Sequence, residues 1–110
     1  MAKMVARGRQ TLETIFTKDE VEYCESKARQ PEHYAARYAA KEAILKALGT
    51  GWRNGFAFSD IEILDDELGK PRVFLHGRVK EFFDQQQIKQ ISVSLSHIKE
   101  IAIAVAILEK

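Results

Sequence analysis

The chain has 110 residues, of which 45% are hydrophobic and 30% are charged, and its formal net charge is +1. This length fits one small domain, and the near-zero charge gives no indication of a nucleic-acid partner. No apolar run approaches membrane-spanning length and the first residues lack an apolar signal core, so we expect a cytoplasmic protein without a membrane partner. The single cysteine, Cys24, excludes an internal disulfide and fits a reducing compartment.

The first third of the chain predicts short helices. Residues 1–9 combine basic side chains with methionine and valine, which predicts a short basic helix ending near Gly8, with a solvated and frayed terminus as the alternative. Thr17 and Glu20 have the spacing of a capping box, which predicts a helix over 18–28. Proline is disfavoured inside a helix, so we expect Pro31 to separate this helix from the next.

The strongest helical signal is a central helix over 32–48, rich in alanine, leucine and lysine and followed by Gly49 and Gly51 as the stop. One predicted face consists of small or apolar residues: Ala36, Ala40, Ala43, Ile44 and Ala47. Tyr38, Leu45 and Leu48 lie off that face, so we expect packing on more than one side. Spacing alone makes Glu42 and Lys46 an ordinary ion pair one helical turn apart.

The remaining chain mixes strand and helix signals. The predicted elements are strands at 58–64 and 71–76, a helix over 78–87, and strands at 91–96 and 101–108. The first two strands, joined by a turn-rich connector, predict a hairpin. The last strand is so apolar that we expect it to be buried on both faces or to lie at an oligomer contact. The pattern predicts an α+β fold, with an antiparallel sheet packed against the central helix.

The run from Arg37 to Gly51, R-Y-A-A-K-E-A-I-L-K-A-L-G-T-G, resembles the signature of the holo-[acyl-carrier-protein] synthases, the small bacterial-type branch of the phosphopantetheinyl transferases. It differs from the family pattern R-F-A-A-K-E-A-x-x-K-A-L-G-T-G only in Tyr38. Other segments similar to the family, in the same order, are I-F-T-x-x-E at 15–20, D-I-E at 60–62, G-K-P at 69–71 and V-S-L-S-H at 93–97. The resemblance implies one phosphopantetheinyl transferase domain over 1–110.

By resemblance, the chain is expected to transfer 4′-phosphopantetheine from coenzyme A to a serine of apo acyl carrier protein, with Mg²⁺, in fatty acid biosynthesis. The resemblance implies that Glu42 is the metal ligand and, with Lys46, catalytic. The positions that it implies for coenzyme A are Arg37, Lys46, Gly69, Lys70, Pro71 and His97. Those that it implies for the carrier protein are Met4, Arg7 and Arg9. It also implies a homotrimer with sites between subunits.

Several alternatives stay open at this point. Family members begin with a strand resembling G-I-G-[TL]-D-I-V-E-I, whose aspartate is a metal ligand, and this sequence shows no such strand. A late start and a degenerate member explain this equally, so the second function class is a relative that binds coenzyme A or carrier protein without turnover. We expect weak coenzyme A binding and slow or no transfer from these 110 residues. Lys41 fits a solvated, paired or catalytic lysine, and His97 fits a solvent-facing strand end as well as a ligand contact.

Overall fold

The structure is a computed structural model that describes residues 9–49, 56–97 and 102–110. The helices are α1 (Arg9–Ile15), α2 (Lys18–Glu25), α3 (Gln30–Leu48) and α4 (Gly77–Gln85), with a 3₁₀ turn at Phe58–Asp60. The strands are β1 (Ile61–Asp65), β2 (Pro71–Leu75), β3 (Gln90–His97) and β4 (Ala102–Glu109). Helices come first and antiparallel strands follow with one helix between them, which confirms the predicted α+β class.

The strands form two antiparallel hairpins. In the first, Ile61 of β1 lies opposite Leu75 of β2; in the second, Gln90 of β3 lies opposite Glu109 of β4. Both hairpins contact α3, and β2 lies beside β3. Within the described ranges, however, no ladder of hydrogen bonds joins β2 to β3, so the expected single sheet is divided into two two-stranded sheets.

The start of α2 has the predicted capping box. The Thr17 amide donates to Glu20 Oε1 over 2.9 Å, and the Glu20 amide donates to Thr17 Oγ1 over 3.2 Å. The helix ends at Glu25, earlier than the predicted residue 28. At this end the Ser26 hydroxyl donates to the Tyr23 carbonyl oxygen over 2.6 Å, a local bond of the kind that competes with continued helix.

The limits of α3 show how proline and glycine act at opposite helix ends. Pro31 does not merely separate two helices; it lies in the first turn of α3, where its missing amide proton costs nothing. At the other end Gly49 has φ 83°, a left-handed conformation that glycine adopts without strain, as the sequence predicted. By contrast, α1 was not predicted as a helix, and the predicted basic helix over 1–9 lies almost entirely outside the described residues.

The core surrounds α3 on more than one side, as predicted. Ala36, Ala40 and Ile44 are buried on one face, and Leu45 and Leu48 are buried beside them. On another side, the ring of Tyr38 packs on Phe58 with centroids 5.1 Å apart. Two members of the predicted apolar face differ, because Ala43 is half-buried and Ala47 is exposed. In the last two turns the helix is therefore packed through Ile44, Leu45 and Leu48, and Ala43 and Ala47 lie outside this packed face.

Strand β4 alternates between half-buried and exposed residues along its whole length. The exposed residues are large and apolar: Ile103 is 60% exposed, and Val105 and Ile107 are each 54% exposed. The alternative that β4 is buried on both faces is wrong for the single chain, because only one face of the strand packs against the core. The other alternative, an oligomer contact, stays a prediction.

Gly77 at the start of α4 offers a test of local packing. Its φ is 56°, and a Cβ atom at this position would lie 2.7 Å from Oδ1 of Asp60. Replacing Gly77 by alanine should therefore combine a strained backbone with a clash, and we expect a loss of about 1–3 kcal/mol in the free energy of unfolding. Urea denaturation measures this, with Gly69→Ala as the control, because Gly69 has φ 81° and a Cβ atom there would meet nothing within 4 Å. Equal losses in the two variants would contradict the clash.

Candidate active site

A buried ion pair connects the family signature to α2. Glu20 of α2 and Lys41 of α3 are both completely buried, and Lys41 Nζ lies 2.7 Å from Glu20 Oε1. Lys41 Nζ also donates to the carbonyl oxygens of Phe58, at 3.0 Å, and Ile61. An ammonium group has three donors, so these three acceptors use all of them. The paired alternative for Lys41 therefore holds, and none of its donors remains for a substrate.

The carboxylate of Glu20 is equally well satisfied. Its Oε1 accepts from the Thr17 amide as well as from Lys41, and its Oε2 accepts from the Ile63 amide over 2.8 Å. Desolvation lowers the pKa of Lys41, and the negative charge and hydrogen bond of Glu20 oppose that shift. Because burial of an unpaired charge is costly, the two side chains depend on each other.

Arg37, one turn before Lys41, is also buried and, like Lys41, binds strand β1. Its Nε donates to the Ile63 carbonyl oxygen over 3.1 Å, and its Nη2 lies 3.5 Å from Oδ1 of Asp65. The guanidinium carbon lies 4.2 Å from the centroid of the Tyr23 ring. The Tyr23 hydroxyl donates to Asp65 over 2.7 Å, and burial followed by the Asp65 contact raises the pKa of Tyr23. Among the described residues, these contacts use two of the five guanidinium donors, and the others can bind an anion.

The turn between β1 and β2 brings the G-K-P segment to Arg37. Asp66 Oδ1 accepts from the amides of Leu68 and Lys70, each over 2.9 Å, and the Lys70 bond is the main cause that lowers the pKa of Asp66. A cavity of about 160 Å³ lies between this turn and α3. Its lining residues are His33, Ala36, Arg37, Asp65, Gly69, Pro71 and Leu95. The structure thus brings together three of the predicted ligand residues, while Lys70 lies exposed on the same turn.

Glu42 and Lys46 lie elsewhere on α3. From Arg37 to Glu42 an α-helix rises about 7.5 Å and turns about 140°, so the two side chains leave the helix on different sides. Glu42 is half-buried and Lys46 is exposed, and within the described ranges no ion pair joins them. Burial, and then the charge of Glu42, raise the pKa of Tyr38 one turn earlier. A single chain therefore does not bring the predicted metal ligand into the cavity at Arg37.

The other predicted contact residues are described only in part. His97 is the last residue of β3 and lies opposite Ala102 of β4, and the structure describes its backbone alone. Arg9 begins α1, again with only its backbone described, and Met4 and Arg7 lie outside the described residues. The roles predicted for these residues stay predictions.

The chemistry of Glu42 suits a magnesium ligand. Among residues 9–49, 56–97 and 102–110, no three His, Cys, Asp or Glu side chains are grouped as a complete protein metal site requires. Mg²⁺ is commonly held by one or two carboxylates together with substrate phosphates and water. The half-buried Glu42 carboxylate fits that arrangement, in which the substrate supplies further oxygen ligands.

Two further features bear on reactivity and on membranes. Cys24 is completely buried, and desolvation raises the pKa of its thiol to about 12, which disfavours the reactive thiolate form. As for membranes, no helix in the described part of the chain has the length and apolar character to span one.

Sequence reasoning missed the partners of Arg37. Tyr23 and Asp65 lie 14 residues before and 28 residues after it, so no helical or strand spacing connects them. Glu20 was recognised only as a capping residue, although it also binds Lys41. The one signal was the unusual density of charge in an otherwise alanine-rich helix, since buried charges require partners.

Comparison with known proteins identifies the family. Residues 2–106 match the family model of the 4′-phosphopantetheinyl transferase superfamily. The holo-[acyl-carrier-protein] synthase of Ruminiclostridium cellulolyticum is 55% identical over 92% of this chain and 76% of its own. The crystal structure of the Neisseria meningitidis holo-[acyl-carrier-protein] synthase has a TM-score of 0.85 at 33% identity, covering 94% of this chain and 82% of that one. The Helicobacter pylori synthase, solved in complex with coenzyme A, has a TM-score of 0.79 at 29% identity, covering 98% and 92%.

The fold and the matched signature thus define an enzyme of the transferase class. The chain belongs to the 4′-phosphopantetheinyl transferase superfamily, and its relatives place it in the holo-[acyl-carrier-protein] synthase family. This confirms the resemblance seen in the sequence.

Proposed function

We propose that this chain transfers 4′-phosphopantetheine from coenzyme A to a serine hydroxyl of apo acyl carrier protein. The reaction is Mg²⁺-dependent and serves fatty acid biosynthesis in the cytoplasm. The observation that carries the proposal is the meeting of Arg37 with Gly69 and Pro71 at one cavity, within a family whose Helicobacter pylori member was solved with coenzyme A. A buried guanidinium with free donors beside a tight turn suits a phosphate group.

The proposed roles follow from charge and position. Arg37, the turn at Gly69–Lys70–Pro71 and His97 hold the nucleotide part of coenzyme A. Lys46, exposed on α3, offers a mobile cation to the pyrophosphate, where phosphoryl transfer needs charge stabilisation. Glu42 is the ligand for Mg²⁺, which supplies further neutralisation of the pyrophosphate when bound.

We propose that the site lies between subunits of a homotrimer. Arg37 and Glu42 leave α3 on different sides, so a single chain supplies the nucleotide cavity and the metal ligand at separate places. Neighbouring chains can combine the two halves. The exposed apolar residues of β4 provide a surface that association would bury.

The carrier protein is proposed to dock on the basic N-terminal segment that contains Met4, Arg7 and Arg9. Arginine gives electrostatic attraction to an acidic partner, and methionine gives an adaptable apolar contact. No nucleic acid is involved in this proposal.

The transfer itself is tested by incubating the chain with coenzyme A, Mg²⁺ and apo acyl carrier protein, followed by mass spectrometry of the carrier. A gain of one phosphopantetheine group supports the proposal and contradicts the expectation from the sequence that these 110 residues transfer slowly or not at all. Calorimetric titration with coenzyme A is run in parallel. Binding without modification of the carrier would favour the non-catalytic alternative, and absence of both would contradict the proposed substrate.

The trimer is tested through β4. We expect light scattering to give three times the chain mass for the protein and a shift toward the monomer for Val105→Lys, because the substitution places a charge on the apolar face. Lys18→Glu, on an exposed residue of α2, is the matched control and should leave the mass unchanged. A stable monomer at micromolar concentration would refute the trimer.

A further inference from the structure

The buried pair formed by Glu20 and Lys41 joins four segments of the fold. Through it the start of α2, the middle of α3, the 3₁₀ turn at Phe58–Asp60 and strand β1 are connected by directional hydrogen bonds. Every donor of the lysine and both oxygens of the carboxylate take part. Replacement of such a buried pair by apolar side chains is often neutral or stabilising, so the pair needs an explanation other than stability.

The helix α3 is held in the core by apolar packing and by directional polar contacts. Tyr34, Ile44 and Leu45 are buried, and their dispersion contacts have no preferred direction. Lys41 adds a directional bond to the carbonyl oxygen of Ile61, and Arg37 adds one to that of Ile63. Two cations one helical turn apart thus hold alternate carbonyl groups of the same strand.

Glu42 follows Lys41 directly and its position depends on the same rotation. Side-chain atoms lie about 5–6 Å from a helix axis, so a rotation of about 20° would move the Glu42 carboxylate by about 2 Å. Displacements of about 1 Å at a reacting centre can cost about 100-fold in rate. The directional contacts of Lys41, the residue next to Glu42, restrict such a rotation where it would affect the carboxylate most.

We propose that Glu20 and Lys41 are positioning residues that set the rotation of α3 and so place the Glu42 carboxylate for the metal. The inference rests on the proposed function of Glu42 as the Mg²⁺ ligand. Neither residue touches the substrate or the metal. Their action passes through the helix backbone, and it accounts for a second charged residue in the signature next to the ligand itself.

The test replaces both charges at once, as Glu20→Leu with Lys41→Met, so that no charge stays buried alone. The matched control is Asp84→Leu with Lys80→Met, which removes an exposed pair with a 2.9 Å contact on α4. Mn²⁺ is the probe, titrated at saturating coenzyme A and followed by water-proton relaxation. Circular dichroism reports the fold, and calorimetry reports coenzyme A binding without metal.

We expect the buried double variant to fold and to bind coenzyme A without metal within about threefold of the original chain, because Arg37 and the turn at 69–71 remain. Its Mn²⁺ affinity should fall at least about tenfold, toward that of Glu42→Gln. The control should keep the original affinity. If the pair only stabilised the fold, its replacement would not lower Mn²⁺ affinity while leaving coenzyme A binding unchanged.

Two results would overturn the inference and they are distinguishable. If the original chain binds Mn²⁺ and the buried double variant binds it equally well, positioning is wrong while the role of Glu42 stands. If the original chain and Glu42→Gln bind Mn²⁺ equally, the metal role of Glu42 fails and the positioning inference falls with it. Should the leucine–methionine pair not fold, Glu20→Gln with Lys41→Met gives the same measurement, because glutamine keeps the length and one acceptor of Glu20.

Discussion

Glu42→Gln is expected to abolish Mg²⁺-dependent transfer while leaving the fold intact. Glutamine has the same size as glutamate but lacks the anionic oxygen that a hard cation requires. Loss of a partner in the outer shell of a metal typically costs about 10–100-fold in affinity or activity, so loss of a direct ligand should cost at least about 100-fold. Because Glu42 is only half-buried, its substitution should leave the core unchanged.

The measurement is the initial rate of carrier-protein modification over a range of Mg²⁺ concentrations, with circular dichroism as the check on folding. Glu22→Gln removes a carboxylate from an exposed position on α2 and serves as the control, with an unchanged rate expected. If Glu42→Gln in an active protein kept the original rate and Mg²⁺ dependence, another group would have to hold the metal. The assignment of Glu42 would then be wrong.

Lys41→Met should give the largest loss of stability. It leaves the Glu20 carboxylate completely buried without its cation, and breaking a buried pair from one side typically costs about 3–5 kcal/mol. For a small domain this is a large part of the total free energy of unfolding. Urea denaturation should show the loss, whereas Lys80→Met, which breaks the exposed pair with Asp84, should cost less than about 1 kcal/mol. Similar losses in both variants would show that burial of the pair is not what matters.

Glu20→Gln removes the anion of the same pair, and the stability of this variant should depend on pH in a predictable direction. Desolvation lowers the pKa of Lys41 below its unfolded value, and Glu20 is the main group that opposes this. Without Glu20 the pKa of Lys41 falls further. Below this folded-state pKa the buried lysine carries an uncompensated charge, which destabilises the fold. The destabilisation decreases as the pH rises through the folded-state pKa and the lysine loses its proton. The deficit of Glu20→Gln relative to the original chain should therefore be smaller at pH 9 than at pH 7. A deficit that grows with pH would contradict this sign.

Local features of the fold were predictable because neighbouring residues determine them. The capping box at Thr17, the stop at Gly49 and the hairpin of β1 with β2 each depend on contacts within a few positions of the chain. The predicted helix limits were wrong at Ser26, where a local hydrogen bond competes with the helix. They were also wrong at Pro31, because a proline can either separate two helices or lie in the first turn of one. The family followed from fifteen consecutive positions, 37–51, which is far more than a short motif contains.

For the site, the sequence by itself determined which residue types were available and, through the family signature, which positions to examine. Only the tertiary structure decided between the alternatives for Lys41, because its partner Glu20 lies 21 residues away on another helix and burial cannot be read from spacing. The structure also assigned Arg37 to Tyr23 and Asp65, and it showed that Arg37 and Glu42 leave α3 on different sides. Pairing of buried charges and the direction of side chains depend on how distant segments pack, and that packing is a property of the folded chain.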